Sequence, residues 1–487
     1  MAYTAFITRI KNLHPHPNAD RLQIGECFGN QIVVSLEYID NQLGIYFPSD
    51  GQVSVEFAEV NNLLRKKDEN GNNIGGYMDA DKRNVTAIKL RGERSDGLFL
   101  PLKSLETFGD ITTLHEGDRI DNFNGHEICC KYIPRKNVRQ GHISEGNRTR
   151  KKKVPIAPLF TEHVDTEQLA YNLAAFKSGD EIEITLKMHG TSQRTGYVPV
   201  LKGYKCVNPI YQYALDAVNR EKRVGSFVRK MADRAIESAT PIYEWGYVSG
   251  TRRTILDNFD GGFYGSNSFR EPHAKSFEGK LWKGEEVYYE VVGFTDTGAP
   301  IMATADNKKL NDKEFVKKYG NTTTFSYGCS PTGREGIGIT ERDIPQSDIY
   351  VYRMTMTNED GDVVEYTPDF MRYRCEQMGV KTVPVMWKGT IPEVTEHIVG
   401  KDADNNIVCT ELCSAGEWIK DIAEQYYDGP DPVGKTHVRE GVVVRILNRP
   451  KFCAYKHKNF SFKVLEGIIK DTAAAPDMEE AQEIEKE

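Results

Sequence analysis

The 487-residue chain has no apolar run near the roughly 18 residues a membrane-spanning helix needs, and its opening "MAYTAFITRI" lacks a signal peptide's long apolar core. Both absences lead us to expect a soluble, cytoplasmic protein. The nine cysteines form no Cys-x-x-Cys pair. Cys129 and Cys130 are neighbours, and Cys409 and Cys413 have a spacing that would suit one helical face, but no second ligand pair stands at zinc-finger spacing. Reduced thiols are therefore expected in place of a zinc site. There is no internal repeat and no long low-complexity tract, which sets aside solenoids and disordered arrays. A net charge of -8 argues against a protein coated along its length in nucleic acid.

What is present is unevenly spread. The length suffices for two to four domains with sizeable cores. Residues 131–153 ("KYIPRKNVRQGHISEGNRTRKKK") carry nine basic residues and one acid, while the tail "PDMEEAQEIEKE" is acidic. The strip is either a solvated linker or a track for phosphates. Before it, short strand-like segments ("TAFITRIKNL", "QIVVSL", "LGIYF", "VTAIKL", "GLFLPL") alternate with Gly, Asn and Asp, the pattern of a small all-β barrel over residues 1–128. After it, strands alternate with helical stretches. In 208–239, Tyr211, Ala214, Leu215, Val218, Phe227, Met231 and Ala235 recur at helical spacing and six Arg or Lys residues add charge, giving either a solvated basic face or a nucleic-acid contact. A further helix is expected in "ELCSAGEWIKDIAEQYYDGPDP", stopped by Gly429 and Pro430.

The stretch "EIEITLKMHG" alternates with period two. Ile182, Ile184, Leu186 and Met188 share one strand face, and Glu183, Thr185, Lys187 and His189 the other. Lys187 and His189 therefore point the same way, and Gly190 ends the strand where another group can approach closely. A cleft lysine becomes a nucleophile when burial or neighbouring cations pull its pKa toward neutrality. The phrase "KMHGTS" resembles the nucleotidyl-acceptor motif of the covalent nucleotidyltransferases, the superfamily of RNA ligases, DNA ligases and mRNA capping enzymes. With His in third place it looks most like the RNA ligases.

That resemblance implies further groups downstream, and candidates stand in family order. "VSGTRRTIL" offers Arg252 or Arg253 for the nucleotide or acceptor phosphate. In "VYYEVVGF", Glu290 is the candidate for ribose hydroxyls. "SDIYVYRMTM" supplies Tyr352, with Tyr350 in the same register, for stacking on the purine. "HVREGVVVRI" resembles the motif whose Glu helps hold a divalent ion, which makes Glu440 the metal candidate. A carboxylate heading an apolar strand needs a cation to meet it. "AYKHKNFSFKVLEG" places Lys456 and Lys458 on one strand face to grip the α-phosphate and depress the Lys187 pKa, with Lys463 as a competitor in a shifted register. Many relatives carry an acid just before the nucleophile; here Leu186 stands there. The long gap after the first motif implies that 208–239 is an insertion.

The opening "LHPHPNADRLQIGE" resembles OB-type barrels of tRNA-binding modules and of an RNA ligase group in which the OB domain comes first. His16 and Asp20 are expected to stabilise its turn. The resemblance thus implies an α+β chain with four parts: an OB-like domain at 1–128, a basic linker at 129–155, an adenylyltransferase domain of antiparallel sheets at 156–470, and an acidic tail at 471–487. It implies an ATP-dependent RNA ligase using Mg2+ or Mn2+, working through lysyl-AMP on Lys187, with His189 in the site. The enzyme would act as a monomer on RNA 3'-OH and 5'-phosphate ends, or an RNA/DNA hybrid, in RNA repair. The alternatives are a GTP-dependent capping enzyme, which usually carries its OB domain last, and an RNA- or tRNA-binding adaptor with an inactive ligase-like half.

Overall fold

The computed structural model describes residues 3–67, 73–133, 155–220, 225–256, 259, 267–336, 343–401 and 407–471. Nearly all of the expected basic linker, and the acidic tail beyond Asp471, lie outside the described residues. Among those residues no helix is long and apolar enough to cross a membrane.

Alternation of apolar and polar residues makes the N-terminal region β-rich. Strands Leu98–Pro101, Leu43–Phe47, Ala5–Arg9 and Arg119–Ile120 form one antiparallel sheet in that order, and Lys11–Pro15, Leu22–Cys27 and Asn30–Ser35 form a second. Ile7, Ile45, Phe47, Val53, Phe57 and Leu105 fill the main core here, each without exposed surface. The first sheet ends at the Leu98–Pro101 and Arg119–Ile120 edges, so the pairing among the described residues does not close into the expected barrel. His16 is 5% exposed and serves the turn: Nδ1 accepts from the Asn18 N–H at 3.0 Å, and Nε2 lies 3.1 Å from the Leu90 carbonyl.

The remainder is built on two sheets. The first runs Glu167–Gln168, Ala454–Lys458, Gly441–Ile446, Glu181–Lys187, Val385–Thr390. Its strands are antiparallel except at the Glu167–Gln168 edge. Ile182, Ile184, Val442 and Val444 cover helix Ala415–Glu424 through Ile419 and Ile422. Each such buried aliphatic side chain contributes about 1.5–3 kcal/mol. The second sheet orders Thr240–Gly250, Thr191–Lys205, Glu285–Gly293, Ser347–Thr357, Val363–Glu365. Leu186, Met188, Val292, Tyr350, Phe325 and Phe462 form the core that joins the two sheets.

Three local expectations change. Helix Ala415–Glu424 opens with a Ser414/Glu417 capping box but ends before Gly429. Bonds from the Gln425 and Tyr426 N–H groups to Ile422 and Ala423 tighten its last turn, and Tyr427 leaves to stack on His457 at 4.9 Å. Cys409 lies on strand Ile407–Leu412 and Cys413 just beyond it, so their spacing is not that of a helical face. The 208–239 segment is two helices, Pro209–Arg220 and Ser226–Ser238, at the tip of the ribbon formed by Thr191–Lys205 and Thr240–Gly250. Ala214, Leu215 and Ala235 are buried there, whereas Phe227 is 72% exposed.

Candidate active site

Lys187 is the last residue of its strand and pairs with Gly441, which pairs in turn with Lys458. Three neighbouring strands therefore bring Lys187, the Glu440–Gly441 step and Lys458 into one row. Gly441 has φ 151°, and a Cβ there would stand 2.1 Å from the His457 carbonyl, so the step admits only glycine. Gly190 is held equally tightly: its Cβ would meet the Val291 carbonyl at 2.4 Å. Absence of a side chain there lets the chain turn directly from the Lys187 strand into the second sheet, where Thr191 pairs with Val291.

Glu440 is the electrostatic centre. Its carboxylate is 2% exposed; Oε1 lies 2.7 Å from Lys187 Nζ and 3.6 Å from Lys458 Nζ, and Oε2 lies 3.5 Å from His189 Nδ1. Burial alone would raise the Glu440 pKa, but Lys187, His189 and Lys458 outweigh it and hold the carboxyl at about 2. His189 sits edge-on to Phe325 at 4.6 Å and Phe462 at 4.7 Å, and its backbone N–H donates to the Tyr327 hydroxyl at 2.6 Å. Lys187, at the strand's end, and His189, two residues past it, thus meet at one carboxylate.

Lys456 and Lys458 share a strand face, but their surroundings differ. Lys458 also pairs with Glu466 at 2.7 Å. Lys456 holds no ion pair among the described residues; burial first, then Lys458 and Lys187, lower its pKa from 10.5 to about 7. Lys463, the competitor, is on helix Phe460–Asp471 and bonds Asp96 of the N-terminal region at 2.5 Å. Together with Lys89–Asp312 at 2.5 Å, that pair ties the N-terminal region to the two-sheet remainder. Between them lies a cavity of about 60 Å³ lined by Asn84, Tyr132, Gln168, Lys456, Lys458 and Lys463.

On the second sheet Glu290 stands opposite Ser192 and Tyr350. Tyr350 is 6% exposed and packed in the joining core. Tyr352 is half-buried, its hydroxyl 3.0 Å from Ser192 Oγ and 3.4 Å from His163 Nδ1. Its pKa is raised, by burial first and then by Glu290. Arg253 bonds Asp165 at 2.8 Å and is 39% exposed at its side chain; Arg252 lies 3.7 Å from the same carboxylate. Of the two, Arg252 is the one whose charge is felt by His163, Tyr352 and Lys456.

No protein-family model matches the chain, and no curated protein matches it in sequence. Fold comparison gives a different result. A Naegleria gruberi RNA ligase structure with PPi matches at TM-score 0.50 and 14% identity, covering 94% of this chain and 97% of that one. The fold is that of an RNA ligase. Mutant forms of the same Naegleria gruberi enzyme match at TM-score 0.49 with ATP and Mn (14% identity, 95% and 98% covered) and 0.48 with AMP and Mn (14%, 94% and 97%).

In this ligase fold the described residues provide no cage of three or more His, Cys, Asp or Glu for a metal. They do provide Glu440 Oε2, buried, with no well-formed hydrogen bond among the described residues and only His189 Nδ1 near it at 3.5 Å. A magnesium-like ion is commonly bound by one or two carboxylates, the remaining positions taken by phosphate oxygens and water, so this donor fits an ion that arrives with a nucleotide. Sequence reasoning missed His163, Tyr327, Phe325 and Phe462. His163 lies in an irregular segment with no periodicity to read, its pKa lowered to about 3 by burial first and then Arg252. Tyr327 adopts a left-handed φ of 49°, which no local pattern announces.

Proposed function

We propose that this chain is an ATP-dependent RNA ligase that joins 3'-OH and 5'-phosphate ends through lysyl-AMP on Lys187. The observation that carries the reading is the row of Lys187, Glu440 and Lys458 across three adjacent strands, with an amine 2.7 Å from a buried carboxylate. Lys187 Nζ forms a bond to the α-phosphorus of ATP. The bond from that phosphorus to the bridging oxygen breaks, its electron pair leaves with pyrophosphate, and the amine's surplus proton passes to solvent. A 5'-phosphate oxygen then attacks the adenylyl phosphorus, the Lys187 N–P bond breaks and the amine takes back a proton; a 3'-hydroxyl, giving its proton to solvent, attacks the 5'-phosphorus and expels AMP. Each displacement depends on alignment and on neutralising phosphate charge.

Lys456 and Lys458 are assigned to the α-phosphate, Glu290 to the ribose, Tyr352 to the base, and Arg252 in preference to Arg253 to a phosphate. A Mg2+ or Mn2+ ion held at Glu440 would neutralise charge on the phosphates. His189 packs against two aromatic rings and faces Glu440, which supports a positioning role beside the nucleophile. The N-terminal β-rich region is proposed as an OB-like RNA-holding module, a reading supported by its ion pairs to the catalytic half. RNA ends, alone or in an RNA/DNA hybrid, are the proposed substrates.

Incubation with α-labelled ATP and magnesium, followed by mapping of the label, tests the reading. Label on Lys187, lost together with sealing in Lys187→Arg, is expected. A protein that keeps its unmodified mass with every common nucleoside triphosphate, or sealing by Lys187→Arg, overturns it.

A further inference from the structure

The helical hairpin at the ribbon tip has no part in the chemistry above. Thr191, at the ribbon's base, lies within the Lys187 motif, four residues past the lysine, and 15 residues of strand carry the chain outward, about 45 Å at strand rise. Beyond Gly196 the outgoing strand's ladder partner among the described residues is Thr240–Gly250. Residues 202–240 hold eight Lys or Arg against four Asp or Glu, in a chain whose net charge is -8. The hairpin's own core of Ala214, Leu215, Ala232 and Ala235 leaves a particular face outside. On helix Ser226–Ser238, Phe227, Lys230 and Arg234 stand at i, i+3 and i+7, all exposed, with Phe227 at 72%. Tyr213, on the partner helix, is also 72% exposed. Lys230 and Arg234 hold no ion pair among the described residues.

We propose that this hairpin face holds single-stranded RNA at a distance from the end being joined, Phe227 stacking on a base while Lys230 and Arg234 meet phosphates. The choice of RNA rests on the ligase reading. The chemistry of the face supports it: a flat ring followed by two uncommitted cations on one stripe suits a stack-and-phosphate ligand, and positive charge on an acidic protein complements a polyanion. Because the hairpin is tens of ångströms from Lys187 along the ribbon, it acts on long strands and leaves short ones and free ATP untouched.

Fluorescence anisotropy with labelled single-stranded RNAs of about 4 and about 16 nucleotides tests this, comparing wild type with the combined Phe227→Ala, Lys230→Ala, Arg234→Ala variant. For the long strand, affinity is expected to fall about 5- to 150-fold, the loss of one stacked base. The salt slope should flatten by about 1.4, the loss of two phosphate contacts. Short-strand affinity and adenylylation by ATP should be unchanged, and Phe227→Tyr should bind as wild type does. Unchanged long-strand affinity and slope in a variant with wild-type circular dichroism overturns the proposal. So does a wild-type dimer that the variant converts to monomer without change in RNA binding, which would make the face a protein contact. Should no adenylate form while the long-strand preference persists, the ligase reading fails and the hairpin assignment stands.

Discussion

Replacing Lys456 by methionine should make the protein more stable and less active. In the folded chain this amine has its pKa lowered from 10.5 to about 7, by burial first and then by Lys458 and Lys187. A lysine that binds its proton less tightly when folded costs stability wherever the unfolded chain is protonated. That cost is full below the folded value and fades as pH rises toward the unfolded one. With about 1.36 kcal/mol per unit, the cost is roughly 4–5 kcal/mol at pH 6 and about 2 kcal/mol at pH 9. Methionine fills the same volume without the charge. Urea unfolding at the two pH values, read as free energy, should therefore show Lys456→Met above wild type at pH 6, with the gap shrinking by about half at pH 9. ATP binding should weaken in the same variant, because the cation proposed for the α-phosphate is gone. A gap that is absent, or that widens with pH, would refute the argument that this lysine is a stored electrostatic cost. A variant that is more stable and binds ATP normally would remove Lys456 from the phosphate site.

Other outcomes follow from the same geometry. Tyr327→Phe removes the hydroxyl that accepts the His189 N–H and leaves a donor unsatisfied at a cost of about 1–3 kcal/mol. Single-turnover adenylylation should slow about tenfold or more, and a wild-type rate would dismiss this positioning role. Glu440 has its pKa held at about 2 against an ordinary 4.5, so it contributes stability that is present above 4.5 and lost as pH falls toward 2. The stability of wild type over Glu440→Gln should therefore be about 3 kcal/mol larger at pH 7 than near pH 2, and parallel stability curves for the two proteins over that range would contradict it. His189→Ala, assayed separately for adenylylation and for sealing, should lower at least one; wild-type rates in both would place His189 outside the mechanism.

The Lys187 strand was legible because period-two alternation is a local property: which side chains share a face follows from counting, and Glu183, Thr185 and Lys187 stand on the strand as counted, while His189 lies just past its end. Glycine at 190 was legible for a related reason, since a residue with no Cβ marks where backbone must pass close by, whereas the same demand at Gly441 shows only in the structure. What the sequence could not show was selection among near neighbours. Arg252 and Arg253 are both cations in one turn, and only their surroundings separate the one whose field reaches Tyr352 and Lys456 from the one facing solvent. Lys463 read as a rival to Lys456 and Lys458 because a strand ending at Lys458 and a helix beginning two residues later cannot be told apart from composition. The helix places it against Asp96, more than 360 residues away in sequence. Whether these strands close a barrel was not legible for a similar reason: strand existence is local, whereas pairing order depends on edges that no single segment specifies.

The charge arrangement explains why one carboxylate can serve so many cations. Glu440 is shared by Lys187 and Lys458, and Lys458 is shared again with Glu466, so two acids meet two of the three lysines in the row and its neighbour. Lys456 is left without an acid among the described residues, so nothing offsets the burial and then the Lys458 and Lys187 charges that lower its pKa. A polyphosphate entering beside it brings the missing negative charge, so binding would restore the proton on Lys456 and recover the stability that the empty site lacks. Affinity for ATP should then fall as pH rises above about 7, since the unliganded amine is already neutral there and must take up a proton to bind. The direction is decisive. A site whose affinity rose with pH through that range would be one where Lys456 meets no phosphate. Isothermal titration in buffers of different ionisation enthalpy would show the same event as proton uptake on binding, an uptake that Lys456→Met should abolish.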